Sequence, residues 1–405
     1  MRASPGRWRR RRRYPPRIAH VTSPPSRLHR SLGVRAATIV GLGAMLGTGV
    51  FAVWTPAFAL AGPWIIAGLL IAGTVAVLNA VSTVRLARVL PESGGAYAYG
   101  RAFIGRPAAL IAGYAFVVGK SASAGAAALT IGAYAWPGYE RVVGLAAVLV
   151  ALAIDLRGIV RSVRVSAVLV ALVIAVLGVV AATWWSADGT LPSSTMSIPG
   201  PIDLLAASGL LFVAFAGYAR ITVLGEEVRD PARTIPRAVI ASFAVVIVVY
   251  AVIALTVVAA AGSGVALSAA PLADVARTAA GEWLTVIVRI GAVIAAGAVL
   301  LSLLAGVGRT LFAMADRGDA PHPLAAVSPR TRAPYRAEIA AAVLATLVVL
   351  VGGIGFALGL SAATVMTYYA VAHLASWRRG ARLVPLAGLV LCGALTVALL
   401  VTALR

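Results

Sequence analysis

Apolar residues along this chain fall into runs of about twenty positions, parted by short polar stretches in which arginine dominates. Inside the runs Ala, Leu, Val and Gly follow one another with no alternation of period two. Wound as a helix, about 20 such residues match the hydrocarbon thickness of a bilayer. Hydrocarbon offers a bare backbone no hydrogen bonds, so a spanning segment must satisfy its own N–H and C=O groups, and a helix does. The pattern predicts eleven spans, at 36–60, 64–88, 97–120, 141–156, 164–184, 203–225, 237–261, 283–312, 337–358, 361–377 and 384–403. The run 121–136 is apolar and rich in small residues; it either extends the third span or forms a separate helix.

Composition agrees. Of the 405 residues 61% are hydrophobic and only 12% charged, too little polar surface for a soluble domain of this length. The net charge of +22 suggests nucleic acid until the charges are located. Ten arginines lie in residues 1–30, a stretch with no acidic residue and with Pro15, Pro16, Pro24 and Pro25. That composition reads as a disordered cytoplasmic tail, residues 1–32, attracted to anionic lipid headgroups rather than to nucleic acid. No small-residue cleavage site follows a short apolar core, so it is not a secretory signal. Most of the remaining arginines mark alternate loops, with Arg141 and Arg277 as the main exceptions: Arg85, Arg88, Arg101 and Arg106; Arg157 and Arg161; Arg229, Arg233 and Arg237; Arg317, Arg330, Arg332 and Arg336; Arg378, Arg379 and Arg382. Lys/Arg bias in short loops sets orientation. It predicts a multi-pass protein of the cell's inner membrane with its N-terminus cytoplasmic and Arg405 outside.

Candidate chemistry is sparse. A single cysteine, Cys392, excludes an internal disulfide, and His20, His29, His322 and His373 have no metal-ligand spacing. No constellation of nucleophile, acid and base is present, so neither catalytic residues nor a cofactor is expected. Three ionisable residues within spans stand out: Lys120, Arg220 and Arg289. Lys120 and Arg289 lie near span ends, where long side chains reach the interface; Arg220 lies deeper. Glycine is the other signal. The first span holds Gly41, Gly43, Gly47 and Gly49, and the sixth holds Phe215-Ala216-Gly217-Tyr218-Ala219. Mid-helix glycine costs about 1 kcal/mol against alanine, so clustering points to a break or a close helix contact. Breaks at Gly47–Val50 and Phe215–Tyr218 would open two sets of five spans with opposite topology, and broken helices in inverted halves point to a binding site at the midplane. Freed amides attract a carboxylate and freed carbonyls an ammonium or sodium ion, which suits a zwitterion.

At these residues the chain resembles the amino acid–polyamine–organocation (APC) transporter superfamily. Four segments carry the resemblance: Gly43 to Phe51; Pro91-Glu92-Ser93-Gly94-Gly95-Ala96-Tyr97-Ala98-Tyr99; Glu226-Glu227-Val228-Arg229-Asp230-Pro231 with Arg233 and Ile235-Pro236-Arg237; and Arg309 to Pro321. The resemblance implies an all-α membrane fold of inverted five-plus-five repeats, with a ten-span core at 33–382 and an extra span at 383–405. It also implies alternating access and transport of amino acids or amines, by symport with a proton or sodium ion or by exchange. Carried over by position, Thr48, Gly49 and Val50 offer amides to a substrate carboxylate, Ala214, Phe215 and Gly217 line the opposite side, and Ser302 helps to hold a coupling cation. Glu226 and Glu227 read as a gate or interface cluster. Val173 stands where some relatives place a lysine, and Ala219 and Arg220 where others place an acid. A non-transporting sensor or a membrane-embedded enzyme on the same fold is the alternative.

Overall fold

The computed structural model describes residues 32–90, 94–157, 163–187, 198–222, 228–328 and 333–405. Its elements are helical throughout, in the order α1 (Val34–Met45), α2 (Thr48–Ala52), α3 (Trp54–Ala61), α4 (Ile65–Val89), α5 (Gly95–Phe103), α6 (Arg106–Ala135), α7 (Glu140–Leu156) and α8 (Val163–Ser186). There follow α9 (Pro201–Phe215), α10 (Ala219–Thr222), α11 (Pro231–Gly262), α12 (Pro271–Ala280), α13 (Glu282–Asp316), α14 (Tyr335–Val351), α15 (Ile354–Arg378) and α16 (Leu383–Ala403). Among the described residues nine helical stretches are long and apolar enough to cross a bilayer. The other two expected spans correspond to α7 and α14, of 17 residues each. At about 1.5 Å per residue these sit at the short end of spanning length.

The third span differs from the sequence expectation. It starts at Arg106 rather than near 97 and runs unbroken for 30 residues to Ala135, so 121–135 extend it. Residues 95–103 form the separate α5. The cause is local: Gly105 takes φ 139°, open only to glycine, and Pro107 then occupies the first turn, where its missing N–H costs nothing.

Helices close on one another through small residues, as expected where lipid supplies no hydrophobic drive between them. A Cβ on Gly125 of α6 would lie 2.6 Å from Val348 of α14, and one on Gly209 of α9 would lie 2.7 Å from Leu399 of α16. Large apolar side chains such as Leu172, Val248 and Val397 remain exposed on the outer faces of α8, α11 and α16, where acyl chains would cover them. A buried polar cluster fastens α16 to the bundle. His373 of α15 contacts Ser82 Oγ through Nδ1 (2.9 Å) and Asn79 Oδ1 through Nε2 (2.7 Å), and the Cys392 thiol donates to the same Asn79 oxygen (3.4 Å).

Candidate functional site

Both glycine-rich segments are interrupted helices. In the first, α1 stops at Met45; Leu46 has ψ 46° and Gly47 has φ −113°, ψ −133°, after which α2 begins at Thr48. In the sixth, α9 gives way at Phe215 to a 3-10 turn, Ala216–Tyr218, before α10. A half-helix that begins afresh leaves its first-turn N–H groups without carbonyls of its own.

The two interruptions lie directly against each other. A Cβ on Gly217 would come within 2.4 Å of the Ala44 carbonyl, and one on Gly49 within 2.5 Å of Ala214 Cα. A Cβ on Gly47 would come within 2.1 Å of Val299 of α13. Gly217 and Gly49 are therefore required by backbone approach, and Gly47 leaves room for the Val299 side chain. Tyr250 of α11 joins the breaks: its hydroxyl reaches the carbonyls of both Met45 (2.6 Å) and Ala214 (2.9 Å). A hydroxyl carries one proton, so this is a shared donor placed where helical continuity has lapsed on both sides.

The side chains divide by face. Phe215 stacks on Phe243 at 6.2 Å and meets Tyr250 edge-on at 5.1 Å, so its ring faces α11, with Gly73 of α4 behind it. Tyr218 packs on Phe243 and on Tyr369 of α15. Small Ala214 and Gly217 are turned toward the first break. Thr48, Gly49 and Val50 are buried, and Thr48 Oγ1 has no hydrogen-bond partner. Arg220 is half-buried, at helical spacing from half-buried Val213 and Gly217. Ser302 is exposed on α13 one turn beyond Val299, toward the arginine-rich end. Lys120 of α6 and Arg289 of α13 are half-buried. Glu226 and Glu227 lie outside the described residues.

The two ends of the bundle are unlike. Away from the arginine-rich loops, Thr48 to Trp54 are all buried. There the Tyr134 hydroxyl donates to the Phe51 carbonyl (2.8 Å) and accepts from the Leu272 N–H (3.3 Å), seating α12 over the break. At the arginine-rich end Val40, Gly43 and Ala44 of α1 are only half-buried.

Two sequence motifs meet in an ion cluster at that end. Asp319, three residues beyond the end of α13, accepts from the Tyr97 hydroxyl (2.8 Å) and from Arg106 Nε (2.9 Å), and pairs with Arg101. The Tyr114 hydroxyl donates to the Asp319 carbonyl (3.0 Å). Burial works to raise the Asp319 pKa, but the hydrogen bonds from Tyr97 and Arg106 and the charges of Arg101 and Arg106 outweigh it, and the carboxyl lies below its ordinary value. Tyr97 and Asp319 were legible as motif residues, but their pairing was not.

The amino acid permease family model matches residues 32–401. An uncharacterized transporter of Mycobacterium tuberculosis is 42% identical over 93% of this chain and 87% of its own length. The branched-chain amino acid permease of Bacillus subtilis is 28% identical over 78% of this chain and 73% of its own. A vacuolar cationic amino acid transporter of Arabidopsis thaliana is 26% identical over 79% of this chain and 58% of its own. With both interrupted helices and the Tyr97–Asp319 cluster inside the matched span, the chain belongs to the amino acid permease family of the APC superfamily and is a membrane transporter, not an enzyme.

Proposed function

We propose that the protein is a secondary transporter that moves neutral amino acids or related amines across the cell membrane by alternating access. The observation that carries this reading is the contact of two interrupted helices, with Thr48 Oγ1, where α2 starts after the first break, buried and unpartnered. On separation of the breaks, the amides of Thr48, Gly49 and Val50 would receive the substrate carboxylate, as anions are received at helix N-termini. Ala214 and Gly217 would form the facing wall, with Phe215 and Tyr218 as the aromatic support behind it. Val50, Ala214 and Val299 make this region apolar, which favours an uncharged side chain. Ser302, one turn from Val299 on α13, is the candidate to help hold a coupling cation, and Arg220 the candidate for gating.

In this reading there are eleven spans in two inverted sets of five plus a final helix, with the arginine-rich loops in the cytoplasm. The buried Thr48–Trp54 stretch under α12 is then the closed outer gate, and the looser packing around Gly43 and Ala44 is the inward path. The test is uptake and exchange of labelled amino acids by purified protein in liposomes. Saturable exchange of at least one neutral amino acid is expected. Failure of every amino acid and amine to exchange, with protein shown to be folded and inserted, would overturn the reading.

A further inference from the structure

Away from the breaks, α7, α13 and α14 bring two carboxyls and a guanidinium together at the arginine-rich end. Asp155, half-buried, is the penultimate residue of α7, Glu338 lies in the first turn of α14, and Arg309, exposed, follows Gly308 on α13. Glu338 is 5% exposed, and its Oε2 has no hydrogen-bond partner. Asp155 Oδ2 is likewise buried and unpartnered. Asp155 acts electrostatically on Glu338, and Arg309 on both carboxyls. The described ion pairs do not include any of the three. The backbone of α13 touches Glu338 directly: a Cβ on Gly308 would lie 2.8 Å from Glu338 Cγ and 3.2 Å from its Cα.

The other charged groups on neighbouring elements are committed or exposed. Arg106 of α6 is held by Asp319, and Tyr114 of α6 bonds the Asp319 carbonyl. Arg157 at the end of α7 and His322 in the 3-10 turn before α14 are exposed, and Arg336 lies over the Tyr335 ring.

We propose that Asp155 and Glu338 form a proton-binding site whose occupancy is coupled through α13 to the transport cycle. The physical reason is that two buried anionic oxygens without donors repel each other, and one arginine without an ion-pair contact cannot satisfy both. A proton taken from water supplies the missing donor as a carboxyl O–H and removes one of the two charges. Proton release restores the repulsion and draws Arg309 inward. Because α13 also carries Val299 against Gly47 of the first break, a change in how α14 and α7 seat on Gly308 and Arg309 is transmitted along one rigid helix. This inference names the regulating ion of the proposed transport site and rests on that reading only for its second half.

The test has two independent arms. Infrared difference spectra of purified protein, titrated across about pH 5 to 8, should contain a protonated-carboxyl band that is lost in both Glu338→Gln and Asp155→Asn. This arm requires no transport activity. In liposomes, substrate exchange by the wild type should vary severalfold over the same range, and either variant should flatten that profile while still exchanging. Persistence of the band in both variants overturns the proton site. Loss of the band with an unchanged pH profile overturns its coupling to transport. Absence of exchange by the wild type at any pH counts against the transport reading and leaves the infrared arm to decide the site.

Discussion

At the scale of single residues, the glycines act by what they leave out. Gly49 sits inside α2 with an ordinary helical backbone, yet a Cβ there would collide with Ala214. Gly49→Val should therefore wedge the two breaks apart and abolish substrate binding, read as loss of ligand-induced thermal stabilisation and of uptake. Wild-type affinity in this variant would mean that the breaks do not form the site. The glycines were legible in the sequence because mid-helix glycine is costly enough to need a reason. Tyr250 was not: one tyrosine in a run of Val, Ile and Ala reads as another core or lipid-facing side chain, and only its direction reveals that it donates to both Met45 and Ala214. Tyr250→Phe keeps the ring contacts with Trp54 and Phe215 but removes the donor from two carbonyls. It should cost about 1–2 kcal/mol, near the upper range for hydrogen bonds between membrane helices. The measurement is apparent Tm in detergent together with exchange rate, and an unchanged Tm would show that the two carbonyls find other donors.

Among elements, long apolar helices could be read from hydropathy, and short connecting ones could not. The apolar pattern predicts a third span that begins at 97, because α5 is apolar enough to continue into α6. The Gly105 turn separates them, and the separation lets α5 lie where Tyr97 and Arg101 meet Asp319. Asp319→Asn removes the charge that gathers these groups and should lower stability by about 1.5–3 kcal/mol, the range for hydrogen bonds to a charged group. The pH behaviour follows from the lowered Asp319 pKa. Its contribution is complete above the ordinary carboxylate value of about 3.9 and is lost only as pH falls through the lowered folded value. Thermal denaturation of wild type and Asp319→Asn from about pH 5 to 8 should therefore give parallel curves. Curves that converge within that window would show that Asp319 titrates there and that the cluster does not hold it ionised.

For the whole molecule, the order of helices followed from the spacing of apolar runs and arginines, since each span must pass through about 30 Å of hydrocarbon whatever its neighbours do. The packing of those helices was not legible, because contacts between Ala, Gly and Val carry no pairwise signature in a sequence. The last helix illustrates this. By composition α16 is an appendage, yet Gly388 backs onto the His373 ring and Cys392 shares Asn79 with it. The carboxyls of Asp155 and Glu338 were passed over for a related reason: at span ends they resemble ordinary loop charges, and their burial arises only when α7 and α14 meet. Topology is open to a direct check. A reporter active only in the cytoplasm, fused after Arg405, should be silent if eleven spans cross the bilayer from a cytoplasmic N-terminus. Strong activity would require one of the two 17-residue helices, α7 or α14, not to cross.

Leu32, just ahead of α1, pairs in parallel with Val228, and the Arg229 N–H donates to the Leu32 carbonyl at 2.9 Å. Val228 is fully buried there, and Asp230 beside it takes the left-handed φ of 46° that starts α11. The mechanical meaning of that small clasp is a lost degree of freedom. Two elements that could each swing alone, the half-helix α1 and the head of α11, are tied at their ends and must travel as one. A gate made of independent leaves has partly open intermediates through which ions leak, whereas a yoked gate has two positions and little between them.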